Sequence, residues 1–213
     1  MLPVMTSQLI VARHAETKCS LAGVLNGDPS KPCPLTTRGL QQATDMGRKL
    51  ESTPLDLCIT TAFERTRKTA DIAFGGRDLK RVVEPLLNDP VLGALEGLDV
   101  ERHREWFEQH AWDQAPAGGE SQLKAISRFV AGWRRVLERP ENAVVVIGHA
   151  FPISFALTLA SGEKPALRRR YEGHVDVGQL TTLDVVALDR GLRCAQAALT
   201  ALTLKSGRYG HRR

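Results

Sequence analysis

The sequence predicts an α/β fold of three layers, in which a mostly parallel central sheet has helices on both faces. Short apolar segments alternate along the chain with segments whose apolar residues recur at helical spacing. Two of the apolar segments, 8–12 and 143–148, are apolar on both faces, which is typical of strands buried in a parallel sheet. The length of 213 residues suits a single domain over 1–213.

The first half of the chain is predicted to contain three strands and two helices. The strand at 8–12 is followed by a helix that Thr36 or Thr37 caps and that ends before Pro54. A second strand at 55–60 leads into a helix over 62–74, which the glycine pair after it ends. A short third strand is expected at 80–85.

The middle of the chain is predicted to form a variable lid or insertion, roughly 84–119, with one helix near 100–109. A long amphipathic helix over about 121–138 follows and ends before Pro140. Three aromatic residues are expected to pack in the core, with a lid over a bound substrate as the alternative: Trp106, Phe107 and Trp112.

The last part of the chain begins with the strand at 143–148, which is the most strand-like segment of the sequence. A helix over about 152–159 is expected next. Residues 179–199 are predicted to form a hairpin that turns at Asp189, Arg190 and Gly191.

The charge of the chain is basic, with a formal value of +5 and a pI near 9.2. Such a balance suits either nucleic acid or a site for anionic substrates. Basic residues interleaved with aromatic ones, as single-stranded nucleic acid requires, do not occur in the sequence, so we expect an anionic substrate and no nucleic-acid partner. The basic segment 168–174 ends in His174, which could reach the rim of a site.

The four cysteines, Cys19, Cys33, Cys58 and Cys194, are widely spaced. This spacing argues against a zinc site and against a disulfide scaffold, so we expect reduced thiols in a cytoplasmic protein. The amino-terminal segment lacks the features of a secretory signal, and no apolar run reaches the 18 or so residues that a membrane span needs. We therefore expect no membrane association.

Imidazole and guanidinium groups follow the two most apolar strands. Arg13 and His14 come after the first strand, and His149 comes after 143–148. Ligands of parallel sheets bind at the carboxyl ends of the strands, so both imidazoles are expected to face one crevice. The alternative is that each histidine is structural.

Arg65 is predicted to lie near the start of a helix, where the helix dipole is already positive. A bound anion would resolve this conflict. Two guanidiniums and backbone N–H groups match the geometry of a phosphate, which indicates that Arg65 and Arg13 form a phosphate site. The alternative, a solvated surface charge, is preferred for Arg67 and Lys68.

Six segments occur in the order typical of one family. The chain resembles the histidine phosphatases of branch 1, the phosphoglycerate-mutase-like superfamily, over about 9–150, and the resemblance implies the phosphoglycerate-mutase-like fold. The segments are RHAET (13–17), PLTTRGLQQA (34–43), TTAFERTRKTA (60–70), LNDPVLGALEGL (87–98), GGES (118–121) and VVVIGHA (144–150).

The resemblance implies a metal-independent phosphatase that hydrolyses a small phosphomonoester through a phosphohistidine intermediate. His14 is the implied nucleophile. Arg13, Arg65 and His149 stabilise the transferred phosphoryl group. Asp89 is the implied proton donor, at a position where the family usually carries glutamate. The alternative is that Asp89 is a turn residue, and Glu96 is the rival carboxylate, although it matches the downstream Glu-Gly pair of the family. No metal or cofactor is implied, and the family allows a homodimer.

Further residues are assigned by the same resemblance. Asn26, Gly27 and Ala150 are implied substrate contacts, and Glu16 is expected to orient the phosphoryl-binding groups. Val24 stands where many members carry an arginine that grips phosphate, which favours a phosphatase over a mutase. Mutase-type phosphoryl transfer, or a catalytically weak member that binds phosphorylated ligands, remain the alternatives.

Overall fold

Five strands form one sheet in the order β3-β2-β4-β1-β5. The computed structural model describes residues 6–163 and 175–209, with side chains of the last helix described as far as 202. The strands are β1 (Gln8–Arg13), β2 (Leu57–Thr60), β3 (Lys80–Val83), β4 (Ala143–Gly148) and β5 (Leu180–Leu183).

The sheet is parallel except at one edge. Strands β1, β4, β2 and β3 pair in parallel, and β5 runs antiparallel to β1. Arg13 lies opposite Gly148, so β1 and β4 end side by side in the middle of the sheet. The predicted mostly parallel sheet, with its two most apolar strands adjacent, is confirmed.

Seven α-helices accompany the sheet within the described residues. The predicted helices of 36–160 are present with small shifts at their ends, whereas the four-residue α1 has no counterpart in the prediction. The helices are α1 (Lys18–Leu21), α2 (Thr37–Lys49), α3 (Glu64–Phe74), α4 (Val100–Gln109), α5 (Gln122–Leu137), α6 (Ala150–Ala160) and α7 (Val185–Tyr209), and two short 3-10 helices span Pro85–Leu87 and Gly93–Leu95.

The helices cover both faces of the sheet because alternate strand residues pack into two separate apolar cores. Val11 and Val144 belong to the core that includes α5, α6 and α7. Ile10 and Val145 belong to the core that includes α2 and α3. The three-layer arrangement that the sequence predicts is therefore confirmed.

The predicted hairpin at 179–199 is wrong. Strand β5 is followed by the long helix α7, whose side of the core is formed by residues three and four positions apart: Val185, Leu188, Leu192, Ala195 and Leu199. This helical period outweighs the local turn signal. Gly191 does not form a turn but allows α7 to pack closely against α6. A Cβ at this position would lie 2.8 Å from the carbonyl oxygen of Leu159.

The expectation that three aromatic residues pack in the core is wrong. Trp106, Phe107 and Trp112 are half-buried and lie outside both apolar cores, because α4 and the loop after it belong to the segment at the carboxyl end of the sheet. None of the helices in 6–163 and 175–209 combines the length and the apolar composition of a membrane-spanning segment.

Cys19 and Cys33 form a disulfide, so the expectation that all thiols are reduced is wrong at these two positions. The backbone N–H of Lys18 donates to the carbonyl of Pro34 at 3.0 Å, which brings the two segments together. The Cα atoms of the cysteines are 6.0 Å apart. Cys58 is buried and Cys194 is exposed, and both are free. The two cysteines are 14 positions apart and match no local motif, so the sequence does not predict this disulfide.

Removing the disulfide should lower the stability of the fold. Replacing Cys33 with serine releases a loop of 14 residues, and loop-closure entropy predicts a loss of roughly 2–4 kcal/mol in the free energy of unfolding. Urea unfolding of oxidised protein measures this loss. Cys194→Ser, at an exposed free thiol, is the matched control and should change the free energy of unfolding by less than about 0.5 kcal/mol. Equal midpoints for the two variants would contradict the pairing.

Candidate active site

Two buried histidines meet where β1 and β4 end. His14 follows β1 and His149 follows β4, and the N–H of His14 donates to the carbonyl of Gly148 at 2.9 Å. Their ring centroids are 5.5 Å apart with an interplanar angle of 65°. The prediction that both imidazoles share one crevice follows from the parallel pairing of the two strands.

The hydrogen bond of His14 fixes its tautomer. Its Nδ1 lies 2.8 Å from the carbonyl oxygen of Ala15, and since a carbonyl only accepts, Nδ1 carries the proton and donates. The pKa of His14 is lowered well below its ordinary 6.5, first by burial and then by the neighbouring charges of Arg65, His149 and Arg13. The ring is therefore neutral at pH 7 and Nε2 keeps a free lone pair.

Arg65 is the most connected cation of the site. Its Nη1 donates to Oδ1 of Asn26 at 2.6 Å, and its Nη2 donates to Oδ2 of Asp89 at 2.7 Å. Nη2 also lies 3.1 Å from Nδ1 of His149. The side chain is 5% exposed, and its guanidinium lies 4.1 Å from the ring centroid of Phe63. The arginine is therefore a fixed part of the site and not a solvated surface charge.

His149 lies beneath the cavity and is fully buried. Burial, followed by the charges of Arg65, Arg13 and Arg128, lowers its pKa well below the ordinary value, so the ring is neutral. Its Nε2 is 2.8 Å from Oγ1 of Thr61, and its Nδ1 is 3.1 Å from Oδ2 of Asp89. The single ring proton can lie on Nε2 and be donated to Thr61, or lie on Nδ1 and be donated to Asp89.

Asp89 brings a carboxylate to the same group of side chains. Its side chain is 25% exposed and contacts both Arg65 and His149 through Oδ2. The loop that carries Asp89 is held in place by Arg128, which donates to the carbonyl of Asn88 at 2.9 Å. The side chain of Asn88 accepts from the N–H of Ala62 at 2.9 Å. The loop that carries Asp89 is therefore held by α5 and by the segment that precedes α3.

Arg13 completes the group of cations. Its Nη1 donates to the carbonyl of Val175 at 3.0 Å. Burial lowers the pKa of Arg13 below its ordinary value, while Asp89 and Asp176 raise it, so the group stays a cation at neutral pH.

A cavity of about 270 Å³ opens over these groups. Apart from His149, which lies below its surface, every residue that the sequence predicts for the site lines this cavity: Arg13, His14, Asn26, Gly27, Arg65, Asp89 and Ala150. Among the described residues, no set of histidine, cysteine and acidic side chains is arranged to hold a metal ion. His174 lies outside the described residues.

Glu16 does not orient the phosphoryl-binding groups, contrary to the expectation. Its carboxylate accepts from Oγ1 of Thr36 at 2.7 Å, and its backbone N–H donates to the side chain of Gln42 at 2.8 Å. These contacts attach the segment after β1 to the start of α2, where Thr36 is the N-cap. Glu16 is thus part of the framework around the site.

Glu96 is a site residue whose role the sequence analysis does not predict. Its Oε2 accepts from the N–H of Gly27 at 2.9 Å, and its Oε1 lies 3.3 Å from Nδ2 of Asn26. Asn26 in turn contacts Arg65. A side chain at Gly27 would clash, since a Cβ there would lie 2.3 Å from the carbonyl oxygen of Pro90. Glu96 therefore holds the segment that positions Arg65.

The chain belongs to the histidine phosphatase superfamily (branch 1), because the family model of that description matches residues 9–201. The phosphoglycerate-mutase-like fold that the resemblance implies is confirmed by solved structures. A candidate alpha-ribazole-5'-P phosphatase from Escherichia coli superposes with a TM-score of 0.71 at 25% identity, covering 84% of this chain and 91% of that one.

Two curated relatives carry different activities in their names. An adenosylcobalamin/alpha-ribazole phosphatase of Salmonella typhimurium is 30% identical over 58% of this chain and 65% of its own length. A 2,3-bisphosphoglycerate-dependent phosphoglycerate mutase of Methylobacterium is 31% identical over 57% of this chain and 64% of its own. The chain thus spans just under two thirds of the length of each of these two relatives.

Replacing Glu96 with glutamine should reduce catalysis without unfolding the protein. The amide would face the N–H of Gly27 with a poorer acceptor, so the support of Asn26 and Arg65 would loosen. We expect kcat with p-nitrophenyl phosphate to fall roughly 10- to 100-fold, as for other small displacements of catalytic groups. Glu51→Gln, on an exposed surface, is the matched control and should leave kcat unchanged. Equal kcat values for the two variants would rule out the positioning role of Glu96.

Proposed function

We propose that this protein is a metal-independent phosphatase that hydrolyses small phosphomonoesters through a phosphohistidine on His14. The observation that carries the proposal is the state of the His14 ring, which is neutral, protonated on Nδ1 and surrounded by Arg13 and Arg65. Such a ring offers the lone pair of Nε2 to phosphorus, and the two guanidiniums match the charge of the transferred group.

In the first step, Nε2 of His14 attacks phosphorus in line and the bond to the ester oxygen breaks. The phosphate of the substrate enters as a monoanion, takes the place of Asp89 beside Nη2 of Arg65 and passes its proton to the freed carboxylate. Asp89 gives its proton to the leaving oxygen, so the products are phosphohistidine and an alcohol. Arg13, Arg65 and the buried His149 stabilise the charge on the equatorial oxygens.

In the second step, a water molecule attacks the phosphohistidine from the side that the alcohol has left. Asp89, now a carboxylate, takes a proton from this water. Phosphate leaves as a monoanion with that proton, Asp89 returns to its ion pair with Arg65, and His14 returns to its neutral form with Nε2 unprotonated. Backbone N–H groups at the start of α6, where Ala150 lines the cavity and no side chain caps the helix, add hydrogen bonds to the anion. Asn26 and Gly27 lie close enough to contribute from the opposite wall.

A mutase of the same family is the second candidate, supported by the relative from Methylobacterium. A mutase has to hold a bisphosphate intermediate, which needs cationic contacts beyond those of a phosphatase. Val24, an apolar side chain, lines the cavity at the position where many family members carry arginine. This apolar wall favours hydrolysis.

A cytoplasmic location and a homodimer also belong to this proposal. A disulfide such as the one between Cys19 and Cys33 is rare in a reducing compartment. The pairing state of these cysteines, in protein isolated from its natural source under thiol-blocking conditions, tests the location. Reduced cysteines would support a cytoplasmic location, and a disulfide would argue against it. Light scattering on the purified protein tests the dimer.

Replacing His14 with alanine should remove catalysis, because His149, the other neutral imidazole among the described site residues, does not line the cavity and has both ring nitrogens in contact with protein groups. Turnover of p-nitrophenyl phosphate should fall roughly 10³-fold or more. Wild-type activity should persist in EDTA, and an acid-stable mass increase of one phosphoryl group should not be found, since phosphohistidine survives only in neutral or alkaline quench. His110→Ala, outside the cavity lining, is the control. Loss of activity in EDTA, or a rate within a few-fold of wild type in the His14 variant, would exclude the mechanism.

Replacing Asp89 with asparagine should make the rate depend strongly on the leaving group. An alkoxide needs a proton to leave, whereas p-nitrophenolate leaves without one. We expect kcat for an alkyl phosphate to fall roughly 10²- to 10⁴-fold and kcat for p-nitrophenyl phosphate to fall much less.

The control for that experiment is Asp113→Asn, at an exposed position away from the cavity lining. An equal loss for both classes of ester in the Asp89 variant would show that this carboxyl supports the structure of the site and does not act as the proton donor.

A further inference from the structure

A second cavity, of about 210 Å³, continues from the first. The two cavities share walls formed by Leu25, Leu92, Val100 and Phe151. The first cavity contains the groups proposed to bind the phosphoryl group, whereas Arg13, His14 and Arg65 are not part of the second cavity's lining. The two cavities together form one cleft. Arg13, His14 and Arg65 lie at one end, and the second cavity forms the other end.

Three consecutive residues lie where the first cavity passes into the second. Asp89 lines only the first cavity, Pro90 lines both, and Val91 lines only the second. The proposed proton donor therefore lies next to the junction. Because this donor has to reach the leaving oxygen, that oxygen lies near the junction and the rest of the alcohol extends into the second cavity.

The second cavity is lined mainly by apolar side chains. Val91, Phe107 and Pro116 line it without taking part in the first, as do the polar side chains of Glu120 and Gln122, and His103 lines both cavities. Glu120 is the carboxylate of this lining, and it is 6% exposed and paired with Arg128 at 2.7 Å. Since this ion pair is already satisfied within the protein, the wall offers dispersion contacts and burial of apolar area to a ligand.

We propose that this second cavity is a leaving-group pocket that selects phosphomonoesters of apolar alcohols, either aliphatic or of single-ring size. The proposal rests on the proposed phosphatase function, because it assigns the alcohol side of that reaction. Phe107 of α4 and Val91 are its specificity-determining residues. Esters of polyhydroxylated or carboxylated alcohols would leave polar groups without partners against the side chains of Val91, Phe107 and Pro116 and are disfavoured.

Primary alkyl phosphates provide the test, because their leaving oxygens are chemically alike and only the buried apolar area differs. We expect kcat/KM to rise about threefold per methylene from methyl to hexyl phosphate. Glycerol phosphate, which has nearly the size of n-butyl phosphate but carries two hydroxyls, should be turned over at least about 10-fold less efficiently than the butyl ester.

Two variants assign the effect to this pocket. Val91→Asn and Phe107→Ala should each lower the ratio of hexyl to methyl kcat/KM about 3- to 10-fold. Val91 is 51% exposed and Phe107 is half-buried, so neither change removes a core side chain. Val186→Asn, at a valine of 66% exposure on α7, is the matched control and should keep the wild-type ratio.

Binding to the His14→Ala variant separates this proposal from the proposed function. Its affinity for methyl and hexyl phosphate, measured by calorimetry, should favour the hexyl ester even though the variant cannot turn it over. A higher affinity for hexyl than for methyl phosphate, without any turnover by the wild type, would overturn the phosphatase proposal and keep the pocket. Turnover with equal kcat/KM for butyl and glycerol phosphate, or a hexyl-to-methyl ratio that Val91→Asn and Phe107→Ala leave unchanged, would overturn the pocket and keep the phosphatase.

Discussion

The buried guanidinium of Arg65 is the group on which the rest of the site depends. Burying a cation is costly unless charged and polar partners surround it, and here Asp89, Asn26 and the ring of His149 do so. Burial is the main cause that lowers the pKa of both histidines, and the charge of Arg65 lowers it further, so both rings are neutral. One residue thereby positions the carboxyl, anchors the loop of Asn26 and helps to keep the nucleophile unprotonated.

The sheet explains why these groups meet. Parallel strands place their carboxyl ends at one edge, and the register of Arg13 with Gly148 sets the residues that follow them side by side. For this reason His14, His149 and the helix start that carries Arg65 could be predicted from the sequence. An apolar strand followed by a chemically active residue can be recognised from the local sequence. When two such strands run parallel, the same pattern predicts that their active residues meet.

Other features could not be predicted in this way because they depend on contacts between distant segments. Glu96 reaches Asn26 across a separation of 70 residues, and the disulfide joins cysteines without a recognised spacing. In α7 the sequence carries both a turn signal at Gly191 and a helical period, and the helix that forms packs Gly191 closely against Leu159. The leaving-group pocket likewise arises where Val91 and Phe107, on separate segments, come to line one wall.

The protonation state of His14 in the free enzyme is the quantity that tests this account most directly. Nitrogen-15 NMR of the imidazole, assigned with the His14→Ala variant, reports both the tautomer and the pKa. The account predicts a neutral ring with the proton on Nδ1, unchanged as the pH falls from 8 through the ordinary histidine value of about 6.5. A ring that gains its second proton near or above that value, or that carries its single proton on Nε2, would contradict the account.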